Sequence, residues 1–422
     1  MNARQKGSVH VAMLGARMHY AVPVLLDKHG LLGRFYTDNY LGNKPWLSRL
    51  LSAIPTRLRS RAITRWLGRK AEIDASKVVS FESLGFHTWW RRKRAGDSIA
   101  FRTLFADGNR RFNELILRRG MNDVGLIFGF NGAALELFRF AKTNREIATV
   151  LEQTIAPGAI QKRLLSEELE RWSGWQPGLT DDAGPDPLSE REQAEWRLAD
   201  VIIGGSQFVC DGLTSLGVDR NKCVVVPYGI DLARFRALPK KPKSDNEPLR
   251  VLFAGEVGLR KGAPYLLEAL RLLGPAAVQG RFAGSVALAP EKLLRYQQVA
   301  TFFGAVPRQK MKELIDWADV FVLPSICEGS ATVIYEALAS GIPAIATPNS
   351  GSLIRNGVDG HIVPIQNPEA IAQALHRYFA EPEYLMAHRG AAIAGRQRLG
   401  LDRYGADLAQ TLGRMLIPQR SP

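Results

Sequence analysis

Between residues 320 and 343 the chain reads Val320-Phe-Val-Leu-Pro-Ser-Ile-Cys-Glu328-Gly-Ser-Ala-Thr-Val-Ile-Tyr-Glu336-Ala-Leu-Ala-Ser-Gly-Ile-Pro343. The apolar run at 319–323 is typical of a buried strand, and Pro324 ends it. A helix is predicted to begin near Gly329 and to end at Gly341, because glycine and then proline commonly follow helix ends. The N-terminus of a helix attracts phosphate, since its first N–H groups are free and its dipole is positive there. This stretch therefore predicts a strand–loop–helix unit that can hold a phosphate group.

The two glutamates of this stretch, Glu328 and Glu336, have seven residues between them. Eight helical positions make about 2.2 turns, so the two carboxylates are expected on roughly the same side of the helix. Carboxylates beside a phosphate site need hydrogen-bond donors, and the hydroxyl groups of ribose or of a sugar are suitable donors. The pattern indicates a bound nucleotide sugar.

Two cations follow another predicted strand, at 251–253. Arg260 and Lys261 come after a turn that contains Gly255 and Gly258, and Gly262 follows them. Cations at this position can clamp a diphosphate whose charge grows as the glycosidic bond to phosphate breaks. Gly262 would let the backbone approach closely. The loop is not a Walker A motif, because the Gly-Lys-Ser/Thr sequence is missing.

The Glu-x7-Glu spacing resembles the signature of the retaining GT-B glycosyltransferases of family 4 (glycosyl transferases group 1). Four stretches resemble that family in the same order, at 224–231, 251–262, 302–307 and 349–364. The matching motifs run from about residue 200 to residue 368. The resemblance implies an α/β protein of the GT-B fold, in which two Rossmann-like domains with parallel sheets face a central cleft.

The resemblance also implies roles on the donor side. Glu336 is expected to accept hydrogen bonds from the ribose hydroxyls, and Glu328 to reach the donor sugar or the reacting carbon, so that Glu328, Arg260 and Lys261 would be the catalytic residues. The N–H groups of 329–331 would face the phosphates. Ser330 and Ala331 stand where family members often have an aromatic residue and a glycine, which leaves the sugar open. The residues expected to bind the nucleotide sugar are Gly258, Arg260, Lys261, Val306, Glu328, Gly329, Ser330, Ala331, Thr332 and Glu336.

Three polar segments that follow strands of the first half are expected on the acceptor side, since the carboxyl ends of parallel strands meet at one edge of a sheet. Their candidate residues are Gly15, Arg17, His19, Asn131, Gln153 and Thr154. Relatives frequently have a histidine near 153–154, where this chain has Gln-Thr, so His19 is the nearest histidine by topology. A lone histidine in a turn is also commonly a hydrogen-bonded structural residue, and both interpretations remain open.

Neither a metal nor a cofactor is expected. There is no Asp-x-Asp motif, and the seven histidines are scattered without ligand spacing. Arg260 and Lys261 would take over the electrostatic role of a metal at the leaving diphosphate. The three cysteines have no Cys-x-x-Cys spacing, which argues against a disulfide framework or a zinc site and favours a reducing compartment.

The length of 422 residues favours two domains. We expect an N-terminal acceptor domain at 1–236, which contains a basic insertion at about 42–107. A linker at 237–248 leads to a donor domain at 249–395. In the C-terminal segment, 396–422, a helix at 404–416 is expected to cross back to the first domain. Strand-like runs are predicted at 9–14, 33–37, 126–128, 149–151, 201–204, 223–226, 251–253, 280–282, 301–303, 320–323, 344–346 and 360–363.

All of the excess positive charge lies in the first 120 residues. They contain 23 Lys and Arg against eight Asp and Glu, whereas the rest contains 33 of each sign. Tryptophans and arginines recur there at helical spacing, around Trp46, Trp66, Trp89, Trp90 and the basic run 91–94. Such helices either lie on an anionic membrane surface, here through residues 42–120, or pack their apolar stripe on their own domain, and the sequence leaves both open. A nucleic-acid partner is not expected, since no recognition module is visible.

The function expected from these observations is transfer of a sugar from a UDP- or GDP-linked donor to a glycan or lipid-linked acceptor hydroxyl, in bacterial cell-envelope polysaccharide or glycolipid synthesis. A nucleotide-sugar epimerase on the same scaffold is the alternative. No segment reaches the roughly 20 apolar residues of a spanning helix. Arg17 and His19 interrupt the first apolar run, so we expect a strand there rather than a signal peptide, and a cytoplasmic protein that can bind the inner membrane face peripherally.

Overall fold

Two parallel sheets organise the chain. The structure, a computed structural model, describes residues 8–85, 98–144, 146–180, 187–237 and 247–416. The first sheet has seven strands in the order β3-β2-β1-β4-β5-β6-β7. Their bounds are β1 Ser8–Met13, β2 Leu32–Thr37, β3 Val78–Ser80, β4 Val124–Phe130, β5 Ala148–Gln153, β6 Val201–Gly204 and β7 Cys223–Val225.

The second sheet has six strands in the order β10-β9-β8-β11-β12-β13, again all parallel. Apolar side chains fill both faces of these strands, as expected of parallel sheets covered by helices. The bounds are β8 Leu249–Ala254, β9 Val278–Ala283, β10 Ala300–Phe302, β11 Val320–Leu323, β12 Ala344–Ala346 and β13 Gly360–Ile362.

Helices connect the strands and cover both sheets. Those of the first half are Ala21–Lys28, Pro45–Ala53, Arg61–Leu67, Ser98–Arg119, Leu135–Thr143, Gly158–Arg171, Pro187–Leu198 and Gln207–Ser215. Those of the second half are Ala263–Leu273, Pro290–Leu293, Arg308–Trp317, Thr332–Ala339, Pro368–Ala380, Pro382–Ala394 and Leu401–Leu416.

The predicted α/β class with two parallel sheets is confirmed. A strand lies at each of the twelve predicted positions, and the sheet contains one more, β3, which pairs with β2 at the edge. The segment 42–107 is therefore not one insertion throughout. It contains two short helices, the edge strand β3 and the first half of the helix Ser98–Arg119, which leads to β4.

Each sheet has one point where the strand order reverses. In the first sheet β1 lies between β2 and β4, and in the second β8 lies between β9 and β11. Connections on the two sides of such a point run to opposite faces, which opens a crevice at the carboxyl ends of the two central strands. The loops after β1, β4, β8 and β11 are consequently the expected site of a ligand.

One helix of the first half packs on the second sheet's domain. Glu168, on the helix Gly158–Arg171, is fully buried and accepts a hydrogen bond from the Tyr265 hydroxyl at 2.8 Å. Trp172 meets the ring of Tyr265 edge to face at 5.4 Å between centroids, and the Trp175 carbonyl accepts the N–H of Ala289 at 2.7 Å. These contacts fix the two domains against each other on one side of the cleft.

The last described helix, Leu401–Leu416, packs on the first domain. Leu408 and Leu412 are fully buried in the same cluster as Leu25 and Leu26 of the helix Ala21–Lys28. The Tyr404 ring lies edge to face with Tyr228, 5.8 Å between centroids. The chain thus crosses between the domains twice.

The helix Pro45–Ala53 has no buried residue. Trp46, Leu50 and Leu58 expose 68, 62 and 68 % of their surface, whereas Leu47, Leu51 and Ile54 of the same segment are half-buried. Trp89, Trp90 and the basic run 91–94 lie outside the described residues. Within the described part of the chain, no helix has the length and apolar character needed to cross a membrane.

Candidate active site

The two crevices face each other and their walls touch. A side chain on Gly329, after β11, would place its Cβ 2.0 Å from the Thr154 carbonyl oxygen, after β5. A Cβ on Gly205 would lie 2.9 Å from that of Ser330. Glycine is therefore required at 329, because any larger residue would push the two domains apart.

Arg260, Lys261 and Glu328 form one charged cluster at the reversal point of the second sheet. The Glu328 carboxylate lies 2.5 Å from the Arg260 guanidinium and 2.5 Å from the Lys261 ammonium. Burial lowers the pKa of Lys261, and the Glu328 charge opposes that shift. Two cations thus share one carboxylate within ion-pair distance, with the charge of Glu256 also acting on Lys261, and cations so placed can bind an anionic ligand.

The loop before this cluster is held by a residue of the other domain. The Gln176 side-chain oxygen accepts the N–H of Leu259 at 2.8 Å and lies 2.8 Å from where a Cβ on Gly258 would stand. Gly262 has φ +67°, and a Cβ there would lie 1.9 Å from the Pro324 carbonyl oxygen. The sequence indicated the need for glycine at 262, but no local signal in it points to Gln176.

The helix after Glu328 begins later than predicted, at Thr332 rather than near Gly329. The N–H groups of Glu328 and Ala331 donate to the carbonyls of Asn349 and Ser350, both at 3.1 Å, which holds the intervening loop out of a helix. The N–H of Ala331 is thus already used. Among the described residues, no acceptor is found for the N–H groups of Gly329 and Ser330.

Glu336 lies on the first turns of this helix and lines a cavity of about 880 Å³ in the cleft. Thr332 lines the same cavity, together with Arg234, Arg308 and His19. Burial raises the pKa of Glu336, and the charges of Arg234 and Arg308 partly offset that rise. None of the described cations lies within ion-pair distance of it, so the carboxylate is available to hydroxyl donors.

Val306 lies in the loop after β10 and is half-buried against the core of the second domain. The Gly304 carbonyl beside it accepts the N–H of Gly284, after β9, at 2.8 Å. This loop therefore borders the same crevice from the side opposite the helix of Glu336.

On the acceptor side, Arg17, Asn131 and Thr154 form one network across the reversal point of the first sheet. Arg17 donates to the Thr154 hydroxyl oxygen at 3.1 Å, and Thr154 donates from its hydroxyl to the Asn131 carbonyl oxygen at 2.9 Å. The Asn131 amide in turn donates to Glu192 at 3.1 Å. Arg17 also lies over the Phe130 ring, 5.2 Å from its centroid.

Gln153 does not face the cleft. It is fully buried, donates to Glu192 at 2.7 Å and accepts from the Trp196 indole at 3.0 Å. The N–H of Gly15 donates to Asp38 at 3.1 Å, at the end of β2. Gln153 therefore supports the acceptor side rather than lining it, whereas Gly15 ties the loop after β1 to the end of β2.

His19 belongs to a run of three non-glycine residues with positive φ, at 45° for Met18, 53° for His19 and 65° for Tyr20. Such backbone is uncommon and clusters at functional sites. The His19 ring meets Arg308 of the other domain at 3.3 Å, and burial followed by the charge of Arg308 lowers its pKa. His19 thus lies in the cleft, in contact with the donor domain.

One acidic residue of the cleft was missing from the predicted site. Glu152, the neighbour of Gln153, lines a cavity of about 180 Å³ together with Arg17 and Tyr228. It accepts a hydrogen bond from the Tyr228 hydroxyl at 2.7 Å, and its other oxygen has no hydrogen-bond partner within the part of the chain that the structure describes. Burial raises the pKa of Glu152 to about 7, although the hydrogen bond from Tyr228 and the charge of Arg17 oppose the rise.

Among the described residues, no group of three or more His, Cys, Asp and Glu side chains is arranged to hold a metal ion. The three cysteines are buried and free.

Comparison with known proteins places the similarity mainly in the second domain. Residues 248–381 match the family model "Glycosyl transferases group 1". A putative colanic acid biosynthesis glycosyltransferase, WcaL of Escherichia coli K12, is 31 % identical over 199 residues, 43 % of this chain and 48 % of that protein. A D-inositol 3-phosphate glycosyltransferase of Streptomyces bingchenggensis is 31 % identical over 238 residues, 50 % of this chain and 52 % of that protein. The chain spans about half the length of these relatives.

Solved structures match the whole chain. Sucrose-phosphate synthase of Thermosynechococcus elongatus superimposes with a TM-score of 0.63 at 17 % identity, covering 97 % of this chain and 99 % of that one. HepE of Anabaena in complex with UDP superimposes with a TM-score of 0.60 at 16 % identity, covering 96 % of this chain and 100 % of that one. At such identities the likeness shows the fold, which is GT-B.

Proposed function

We propose that the chain is a retaining glycosyltransferase of family 4 that moves a sugar from a UDP- or GDP-linked donor to an acceptor hydroxyl. The observation that carries this proposal is the cluster of Arg260, Lys261 and Glu328 at the reversal point of the second sheet, with Glu336 in the adjoining cavity. Cations, free N–H groups and two carboxylates are the groups that a diphosphate, a ribose and a sugar require together.

The ligand-free ion pairs suggest how the donor binds. Glu328 holds both cations, and a diphosphate with several negative charges would compete for them. Once Arg260 and Lys261 turn to the phosphates, the Glu328 carboxylate is free to accept hydrogen bonds from the donor sugar. Glu336 would meet the ribose hydroxyls, and the N–H groups of Gly329 and Ser330 the phosphates.

In the transfer step, the bond between the anomeric carbon and the phosphate oxygen breaks and a bond to the acceptor oxygen forms. The nucleoside diphosphate leaves with the bonding electron pair, and its departing phosphate oxygen accepts the proton of the acceptor hydroxyl. Charge therefore develops on the diphosphate next to Arg260 and Lys261, whose interaction strengthens toward the transition state. No metal ion or cofactor is needed in this scheme.

The acceptor would bind on the first domain, at the network of Arg17, Asn131 and Thr154. His19 lines the cavity of Glu336 and would contact the sugar or the acceptor there. Relatives named for colanic acid and teichuronic acid biosynthesis make an envelope glycan or a lipid-linked glycan the first acceptor class to test.

The membrane is proposed as a partner surface. Trp46, Leu50 and Leu58 are exposed in a segment whose neighbours include the exposed cations Arg49 and Arg57. Each cation near an anionic surface contributes about 1 kcal/mol, so a handful supports reversible docking on the inner face of the cytoplasmic membrane. Binding to anionic vesicles should exceed binding to neutral vesicles and weaken steeply with salt. Equal binding to both would make the basic surface a solvated face.

The function is tested by nucleotide screening followed by product analysis. UDP comes first, since HepE was crystallised with UDP, and GDP is the alternative. We expect one of the two to raise the melting temperature, and its sugar conjugate to give a product of retained anomeric configuration by NMR in the presence of acceptor. Inversion of configuration would overturn the retaining mechanism. Interconversion of sugar nucleotides without acceptor would instead identify an epimerase.

A further inference from the structure

A second cavity of about 510 Å³ lies in the first domain, beside the acceptor network. Its walls are the carboxyl ends of β1 and β2 and the helices Arg61–Leu67 and Ser98–Arg119. Volumes of this size hold drug-sized ligands. None of the donor-side residues lines it.

The lining of this cavity is amphipathic. Four large apolar side chains contribute to it, namely Leu14, Trp66, Leu84 and Phe105. Two guanidinium groups, those of Arg65 and Arg69, lie at the same cavity. Such a lining suits a molecule that joins an apolar chain to an anionic group.

The charge balance of the cavity is positive. Arg69 pairs with Asp38 at 3.0 Å, whereas Arg65 has no ion pair among the described residues. One uncompensated cation beside an apolar surface favours a phosphate group over a neutral or cationic one.

The cavity adjoins the transfer site through the loop after β1. Gly15 lines the cavity, and Arg17, two residues further, bonds to Thr154. The Thr154 carbonyl in turn packs on Gly329 of the donor loop. One end of a ligand in the cavity would therefore lie near the contact between the loop after β1 and the donor loop, where donor and acceptor meet.

We propose that this cavity binds the acceptor of the reaction through a phosphate-bearing apolar chain, so that the acceptor is an anionic amphiphile. The apolar chain lies against Trp66 and Phe105, and the phosphate group meets Arg65. The exposed Trp46 and Leu50 belong to the same segment as Trp66, which places the cavity on the side of the domain suited to a membrane. This inference rests on the proposed glycosyltransferase function.

The probe is farnesyl diphosphate, titrated into the full chain without donor and followed by calorimetry, with inorganic pyrophosphate and farnesol as its two separate parts. We expect farnesyl diphosphate to bind at least about tenfold more tightly than either part, and Arg65→Gln and Trp66→Ala each to weaken it by roughly tenfold. Arg197→Gln and Leu216→Ala are the matched controls, since both residues are exposed in the first domain and belong neither to the cavity lining nor to the proposed membrane surface. The controls should stay within about twofold of the unmodified chain, a range in which surface substitutions normally fall.

Equal binding by the cavity variants and the controls would overturn the inference, as would binding of pyrophosphate alone with the affinity of farnesyl diphosphate. A UDP and GDP titration on the same samples separates this outcome from failure of the proposed function. Intact nucleotide binding with no effect of Arg65→Gln and Trp66→Ala refutes the cavity assignment alone. Absence of binding by both nucleotides refutes the donor site, which the cavity variants do not touch.

Discussion

The substitution Glu152→Gln should change how the stability of the chain depends on pH. Burial raises the pKa of Glu152 from its ordinary 4.5 to about 7 in the folded chain. A group whose pKa is raised by folding contributes stability that is fully present below its unfolded pKa and is lost as the pH rises through its folded pKa. Linkage between these two values gives a loss of about 2.5 kcal/mol in the free energy of unfolding from pH 5 to pH 8.

Glutamine at 152 keeps a carbonyl oxygen that can accept from Tyr228 but cannot ionise, so the variant should lack this loss. Thermal unfolding of the variant and of the unmodified chain at pH 5 and pH 8 measures whether this loss of stability is present. The melting temperature of the variant minus that of the unmodified chain should rise by on the order of 5 °C between the two pH values. The variant must be compared with the unmodified chain at each pH, because burial also raises the pKa of Glu195 to about 7 and Glu195 is present in both proteins.

Glu146→Gln is the matched control, since Glu146 is an exposed glutamate of the same domain. The difference in melting temperature between Glu146→Gln and the unmodified chain should be the same at pH 5 and pH 8. If the difference for Glu152→Gln is the same at both pH values, Glu152 is not a buried carboxyl that ionises near neutral pH, and its place in the cavity with Arg17 is wrong.

Three further substitutions test the donor domain. Gly262→Ala should lower the free energy of unfolding in urea by at least about 2 kcal/mol, because its Cβ would strike the Pro324 carbonyl; an unchanged midpoint would contradict this. Gln176→Ala leaves the Leu259 N–H without its acceptor and should raise the KM for the donor about fivefold, with the melting temperature as the control for folding. Glu336→Gln should raise the donor KM and leave kcat nearly unchanged, since a ribose contact is made equally in ground and transition states; loss of kcat alone would place Glu336 at the sugar instead.

Most of the sheet architecture is predictable because parallel strands buried on both faces are short, continuous apolar runs. The edge strand β3, Val78–Ser80, escaped prediction because it lies within the segment 42–107, which the sequence led us to interpret as one basic insertion. The meeting of Arg260, Lys261 and Glu328 was implied by the family resemblance and not by chain order, since β9 and β10 lie between their two strands along the chain. Their loops follow β8 and β11, which are neighbours in the sheet.

The missed features depend on contacts between distant segments. The helix starts at Thr332 because the N–H of Ala331 is taken by Ser350, which local propensity does not report. Gln176 reaches the donor loop from the other domain. Glu152 is not among the predicted acceptor residues although it directly precedes Gln153, because it lies within β5 and only the fold shows that a cavity lies beside it.

The most direct test of the donor site is calorimetric titration of UDP and GDP into the double variant Arg260→Ala, Lys261→Ala. Two charge-assisted contacts are lost and Glu328 is left facing the phosphates, so affinity for the bound nucleotide should fall by about 3 kcal/mol or more, over a hundredfold in Kd. The double variant Arg271→Ala, Arg377→Ala removes the same charge from exposed helix positions of the same domain and should bind as the unmodified chain does. A Kd unchanged within about twofold in Arg260→Ala, Lys261→Ala would contradict the assignment of these cations to the diphosphate.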